Sequence, residues 1–64
     1  MTDLVSIITP MYNSEAYIEE TIKCVIHQSY EKWEMLIIDD GSIDNSINIV
    51  KGYVERDNRI KLIE

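Results

Sequence analysis

Sixty-four residues allow one domain at most, expected over residues 1–64, and a chain this short buries only about 60% of the surface that its unfolded form exposes. Twelve acidic residues oppose six basic ones, and the net charge of −6 argues against nucleic acid or an anionic membrane held by bulk charge, though not against a phosphate-bearing small molecule. The single cysteine, Cys24, excludes an internal disulfide and suits a reducing compartment, and with neither a signal peptide nor an apolar run of about 18 residues in sight the expected location is cytoplasmic.

Residues 4–9 form a short apolar run rich in β-branched side chains and followed by Pro10, which predicts a buried strand that stops at the proline. Asn13 or Ser14 is the expected cap of a first helix over about residues 14–28. Ile18, Ile22, Val25, Ile26 and Ser29 recur there at spacings of three and four, which defines one face. Glu15, Glu19 and Glu20 crowd the first turns, as the helix dipole prefers. Residues 33–39 read as the second strand and Gly41-Ser42 as the turn after it. Ser42 or Asp44 is the expected cap of a second helix, with Ile43, Ile47, Val50 and Val54 along one stripe and Gly52 weakening it. The polar piece Glu55-Arg56-Asp57-Asn58 ends that helix, and residues 59–64 read as a third strand.

Strand-helix-strand-helix-strand is the pattern of a parallel α/β sheet with right-handed crossovers. The expected architecture is a βαβαβ half of a doubly wound sheet, with strand order 3-2-1 and both helices on one face. Yet the strands are apolar on both sides. Val5, Ile7, Leu36 and Ile38 alternate with Leu4, Ile8, Met35 and Ile37, and Ile60, Leu62 and Ile63 follow in the third strand. A bare apolar face and an open edge predict a homo-oligomer joined by sheet faces or by the edges of the first strand.

The second strand ends in Ile37-Ile38-Asp39-Asp40-Gly41-Ser42. Parallel α/β sheets bind ligands just beyond the carboxyl ends of their strands, so two acids there stand where a ligand would stand. Neighbouring strand residues point to opposite faces, and both acids can meet one ligand only where the strand breaks into the turn. A carboxylate at that point can accept hydrogen bonds from a base imide or a ribose hydroxyl. The same pair also fits solvated turn acids, one of them capping the second helix. Pro10-Met11-Tyr12-Asn13 ends the first strand in a matching way. Tyr12 could stack on a flat base, and the segment equally fits a plain loop with a packed tyrosine. His27 has no second His or Cys at metal-ligand spacing and reads as structural, Cys24 as a bystander thiol, and Tyr30 and Trp33 as packing residues. The first turn has no Gly-x-Gly-x-x-Gly, which leaves a dinucleotide site unsupported. A receiver-like signalling module carries its acid pair after the first strand, whereas here it follows the second. A non-catalytic α/β interaction module is the remaining alternative.

In this order and spacing, Val5-Ser6-Ile7-Ile8-Thr9-Pro10-Met11-Tyr12-Asn13, Gln28-Ser29-Tyr30, Trp33-Glu34 and Ile37-Ile38-Asp39-Asp40-Gly41-Ser42 with Asp44 resemble the family-2 glycosyltransferases of the GT-A fold. The resemblance covers residues 4–64. It implies binding of a nucleotide-diphosphate sugar, commonly a uridine diphosphate sugar. Pro10 would lend its carbonyl and Tyr12 its ring to the base. Asp40 would bind base or ribose, and Asp39 would support the turn with a weaker claim on ligand. Ile43 stands where this family often has threonine. Family members are several times longer, and their Asp-x-Asp motif, which holds Mg or Mn, and their general base lie further along. Asp39-Asp40 lacks the intervening residue of that motif. The resemblance therefore implies an N-terminal nucleotide-binding portion that binds its donor weakly, holds no metal or cofactor and carries no catalytic residue.

Overall fold

The computed structural model describes residues 3–64, so Met1 and Thr2, at the head of the expected unit, lie outside the described residues. The elements are β1 (Val5–Met11), α1 (Ile18–His27), β2 (Trp33–Asp39), α2 (Ser46–Arg56) and β3 (Ile60–Ile63). β2 lies between the other two strands and runs parallel to both. The order β1-β2-β3 is the expected 3-2-1 seen from the other edge.

The register sorts the apolar residues into two faces. Ile7 lies beside Met35 and Thr9 beside Ile37, while Met35 and Ile37 lie beside Ile60 and Leu62. Against this face pack Ile18 and Ile22 of α1 and Val50 and Tyr53 of α2, and together with Met11 and Trp33 they make the core. The Tyr53 hydroxyl also donates to Glu19 Oε2 at 2.7 Å, which ties the two helices together. Ile8, Ile38 and Ile63 occupy the opposite face and are exposed. Val5 and Ile7 thus share a face with Met35 and Ile37 rather than with Leu36 and Ile38.

Pro10 does not stop the first strand. β1 continues through it to Met11, and Pro10 pairs in register with Ile38. Val5 N–H donates to the Lys32 carbonyl at 2.9 Å, and the Met11 carbonyl accepts from Asp40 N–H at 2.9 Å. Peptide groups of the odd-numbered residues therefore face β2, and those of Pro10 face the open edge. A missing N–H removes no ladder bond there, and proline is tolerated in such an edge position.

Both helices begin later than their capping residues suggest. Residues 14–17 form a turn in which the Ser14 carbonyl accepts from Tyr17 N–H at 3.0 Å and from Ile18 N–H at 2.8 Å. Tyr17 is the cap of α1 and makes no side-chain capping bond, and Ser29 lies exposed beyond the helix. Asn45 caps α2, although Asp44 still accepts the Ser46 N–H at 2.9 Å. Ile43 precedes the helix and is 88% exposed, so the buried stripe is Ser46, Val50 and Tyr53. Of the predicted capping side chains, those of Asn13, Ser42 and Asp44 bond across the gap between the two loops instead, while the Ser14 hydroxyl donates to the Tyr12 carbonyl.

At the far end of the sheet, the Arg59 guanidinium lies 3.9 Å from the centre of the Trp33 ring. Its Nη2 donates to Asp57 Oδ2 at 2.8 Å and its Nε to Asp57 Oδ1 at 3.0 Å. The bonds to Arg59 hold the Asp57 carboxyl below the usual range. Trp33 is buried, as a packing residue should be, whereas Tyr30, Cys24 and His27 are exposed.

Gly52 offers a direct test of helix energetics. A Cβ added there would meet only Arg56 Nη2 at 3.6 Å, an ordinary contact. Gly52→Ala is therefore expected to stabilise the chain by about 0.5–1 kcal/mol through backbone entropy. Thermal unfolding followed by circular dichroism should show a midpoint a few degrees higher. A lower midpoint would mean that the added methyl disturbs the packing of α2.

Candidate nucleotide-recognition site

Met11 and Asp39 are partners in register, so the β1–α1 and β2–α2 loops leave the sheet side by side. The Asp40 N–H to Met11 carbonyl bond joins them at their base. From there the two acids diverge. Asp39 is only 9% exposed, on the helix side of the sheet. Its carboxylate accepts Gly41 N–H at 3.1 Å and Ser42 N–H at 3.1 and 3.3 Å through its two oxygens. Hydrogen bonding from Ser42 is the main reason that the Asp39 carboxyl lies below the usual range; burial opposes this and the Gly41 amide adds to it. Gly41 has φ +87, a conformation that side chains disfavour, and this lets the chain fold its amide back onto Asp39. Asp40 is exposed, and among the described residues its carboxylate accepts no hydrogen bond.

Tyr12 is 58% exposed, so it is not the packed tyrosine of the plain-loop reading. Pro10 is exposed on the face away from the helices. The strand ends thus bring Tyr12 and Asp40 onto adjoining loops, with Asp39 beneath the turn and Pro10 at the open edge. Among the described residues no enclosed cavity forms, and the site is an open shelf.

Five hydrogen bonds lace the two loops together above that base. Asn13 N–H donates to Ser42 Oγ at 2.9 Å, and Asn13 Oδ1 accepts from Ile43 N–H at 2.9 Å. Glu15 N–H donates to Asp44 Oδ2 at 3.1 Å, and Glu15 Oε1 accepts from Asn45 N–H at 3.0 Å. Beneath them, buried Ser14 N–H donates to Ser46 Oγ at 2.7 Å, and that hydroxyl donates on to Asp44 Oδ1. Asn13 adopts φ +46, a left-handed conformation that asparagine accepts more readily than most residues. Burial raises the Asp44 carboxyl, but bonds from the Ser46 hydroxyl and amide and from the Glu15 amide outweigh it and hold the group below its usual range.

Ser14, Glu15 and Ser46 were not legible as site residues. For Ser46 a signal did exist, because Ser46, Val50 and Tyr53 keep the i, i+4, i+7 spacing of a buried stripe with a hydroxyl at its first position. Asp39 and Asp44 hold loop amides with both oxygens, and among the described residues no three His, Cys, Asp or Glu side chains converge. Among the described residues no helix is long and apolar enough to cross a membrane.

The family model of Glycosyl transferase family 2 matches residues 6–64. An uncharacterized glycosyltransferase of Haemophilus influenzae is 46% identical over 59 residues, which are 92% of this chain and 24% of that protein. Glycosyltransferase GlyG of Streptococcus pneumoniae is 35% identical over 63 residues, 98% of this chain and 21% of its own length. The uncharacterized glycosyltransferase EpsJ of Bacillus subtilis is 44% identical over 63 residues, 98% of this chain and 18% of its own length. The chain therefore spans about a quarter or less of these relatives. Both strand-end segments and the loops that lace them fall within the matched residues, and the chain belongs to glycosyl transferase family 2.

Proposed function

We propose that these residues form the nucleotide-recognition portion of a glycosyltransferase that takes its sugar from a nucleotide-diphosphate sugar, with uridine diphosphate as the carrier, and passes it to an acceptor hydroxyl. The observation that carries this reading is the division of the acid pair. Asp39 is occupied with the turn, while Asp40, whose carboxylate accepts no hydrogen bond among the described residues, lies on the loop adjoining that of the exposed Tyr12. A carboxylate acceptor suits the imide N–H of uracil or a ribose hydroxyl, and an aromatic ring suits the flat face of the base. The Pro10 carbonyl, turned to the open edge, is the third group assigned to the base. We assign no residue of this chain to deprotonating the acceptor or to a metal, so no transfer is expected from it alone. Family membership favours this reading over a receiver-like module, whose acid pair follows the first strand. The βαβαβ unit is then the first half of a doubly wound sheet, working in the cytoplasm, where a thiol such as Cys24 stays reduced.

An open shelf predicts weak binding, with a dissociation constant for uridine diphosphate on the order of millimolar, equivalent to about 4 kcal/mol. Titration followed by nuclear magnetic resonance should show this binding, with adenosine diphosphate much weaker. Tyr12→Ala and Asp40→Ala should each abolish it. Equal binding of the two nucleotides, or indifference to both substitutions, would overturn the assignment.

A second observation supports a proposal about assembly. Leu4, Ile8, Ile38 and Ile63 are large, apolar and exposed, and the last three lie on the face that neither helix covers. We propose that a second copy of the chain covers this face.

A further inference from the structure

Tyr12 and Asp40 belong to different loops, and one backbone bond, from Asp40 N–H to the Met11 carbonyl, joins those loops at the sheet. Beyond it, the spacing of ring and carboxylate depends on the loops themselves. Asn13 and Glu15 each grip the opposite loop at two points. Each donates its own N–H to a side chain there, Ser42 Oγ or Asp44 Oδ2, and each accepts a backbone N–H with its side chain, from Ile43 or Asn45. The left-handed turn at Asn13 is what aims its amide nitrogen and its side-chain oxygen at the same loop. Both residues are exposed, so water can replace their bonds when the loops part, and the bonds add little to global stability. Their effect is on geometry. They hold both recognition groups in place before a ligand arrives, which lowers the ordering cost of binding.

We propose that Asn13 and Glu15 are positioning residues for nucleotide recognition, clasping the β2–α2 loop to the β1–α1 loop so that the Tyr12 ring and the Asp40 carboxylate keep a fixed spacing. This rests on the nucleotide reading above and adds two residues that touch no ligand themselves. Ser46 is the buried anchor of the same clasp, its hydroxyl accepting from Ser14 N–H and donating to Asp44 Oδ1.

The test uses the whole chain, with uridine diphosphate as the probe. Asn13→Gly removes the amide but keeps the left-handed backbone accessible. Glu15→Ala removes the acceptor for Asn45 N–H, and Glu15→Gln keeps it while removing the charge. Asn13→Gly and Glu15→Ala are expected to weaken binding about fivefold or more and to loosen the Tyr12 and Asp40 amides in heteronuclear relaxation, with little change in the unfolding midpoint. Glu15→Gln should bind as the unmodified chain does. Glu15→Gln and Glu15→Ala behaving alike, or Asn13→Gly binding within twofold of the unmodified chain, would overturn the proposal. An unmodified chain that binds no uridine diphosphate would instead overturn the nucleotide reading. The clasp would then be judged on amide motion alone, and unchanged Tyr12 and Asp40 amides in the variants would refute it.

Discussion

Ile37→Ala is expected to destabilise the chain by about 2–5 kcal/mol, while Ile38→Ala, one residue further on, costs less than about 1 kcal/mol. The two side chains are chemically identical and adjacent, and only the sheet separates them. Ile37 is 0% exposed, on the central strand, between Thr9 and Leu62 and under both helices. Truncation there leaves a cavity that close-packed neighbours fill only in part. Ile38 is 40% exposed on the other face, and its truncation opens no cavity. A domain of this length has about 3–10 kcal/mol of stability in total. Ile37→Ala therefore removes a large share of it and raises the unfolded population at room temperature by more than tenfold. Urea unfolding followed by circular dichroism, at one fixed protein concentration because self-association adds stability, compares the two variants. Equal losses would show that the assignment of faces is wrong.

The second large effect lies in assembly. The unmodified chain is expected to be a dimer or larger at high micromolar concentration, and the Ile8→Lys, Ile38→Lys double variant a folded monomer. Ile8 is the register partner of Leu36, and Ile38 of both Pro10 and Ile63, so these side chains form one continuous apolar patch. Glu34 and Lys61 lie on the same face and offer opposite charges to a two-fold related copy. Covering about 400 Å² on each partner, at about 25 cal/mol per Å², is worth up to about 20 kcal/mol, against association costs of about 4–15 kcal/mol. β1 and β3 are both edges, but Pro10 leaves the β1 edge without one donor, which favours pairing by faces over pairing by that edge. Light scattering and sedimentation would settle the matter. A stable folded monomer of the unmodified chain at that concentration, or a double variant that still associates, would refute the face-to-face assembly.

Much of this was legible along the chain. The second strand falls at Trp33–Asp39 as read, because an unbroken apolar run between polar flanks has a local signature. Ile18 and Ile22 anchor the first helix for the same reason, since a spacing of four residues places side chains on one side of a helix whatever lies around it. Gly41 could be read as a turn residue because positive φ is a property of the residue itself. The parallel order of the strands followed from their alternation with helices.

What the tertiary structure alone decided has a common physical cause. Asn13, Ser14, Glu15 and Asp44 all carry groups that can bond either to their own helix or to a neighbouring loop, and local sequence cannot rank the two. The choice fell to partners 29 to 32 residues away, which drew the side chains of Asn13, Glu15 and Asp44 and the backbone N–H of Ser14 into the clasp, and both helices begin later. Asp39 and Asp40 are identical in chemistry and adjacent in sequence. Which one supports the turn and which keeps its carboxylate exposed was decided by the face of the sheet each meets where β2 ends. Pro10 stayed in its strand because its nitrogen faces the open edge, a fact about the neighbours of β1 rather than about proline. Periodicity and turn chemistry are written into the sequence by itself and determined the elements and the family likeness; hydrogen-bond partners and exposure depend on what the fold brings near, and only the tertiary structure decided those.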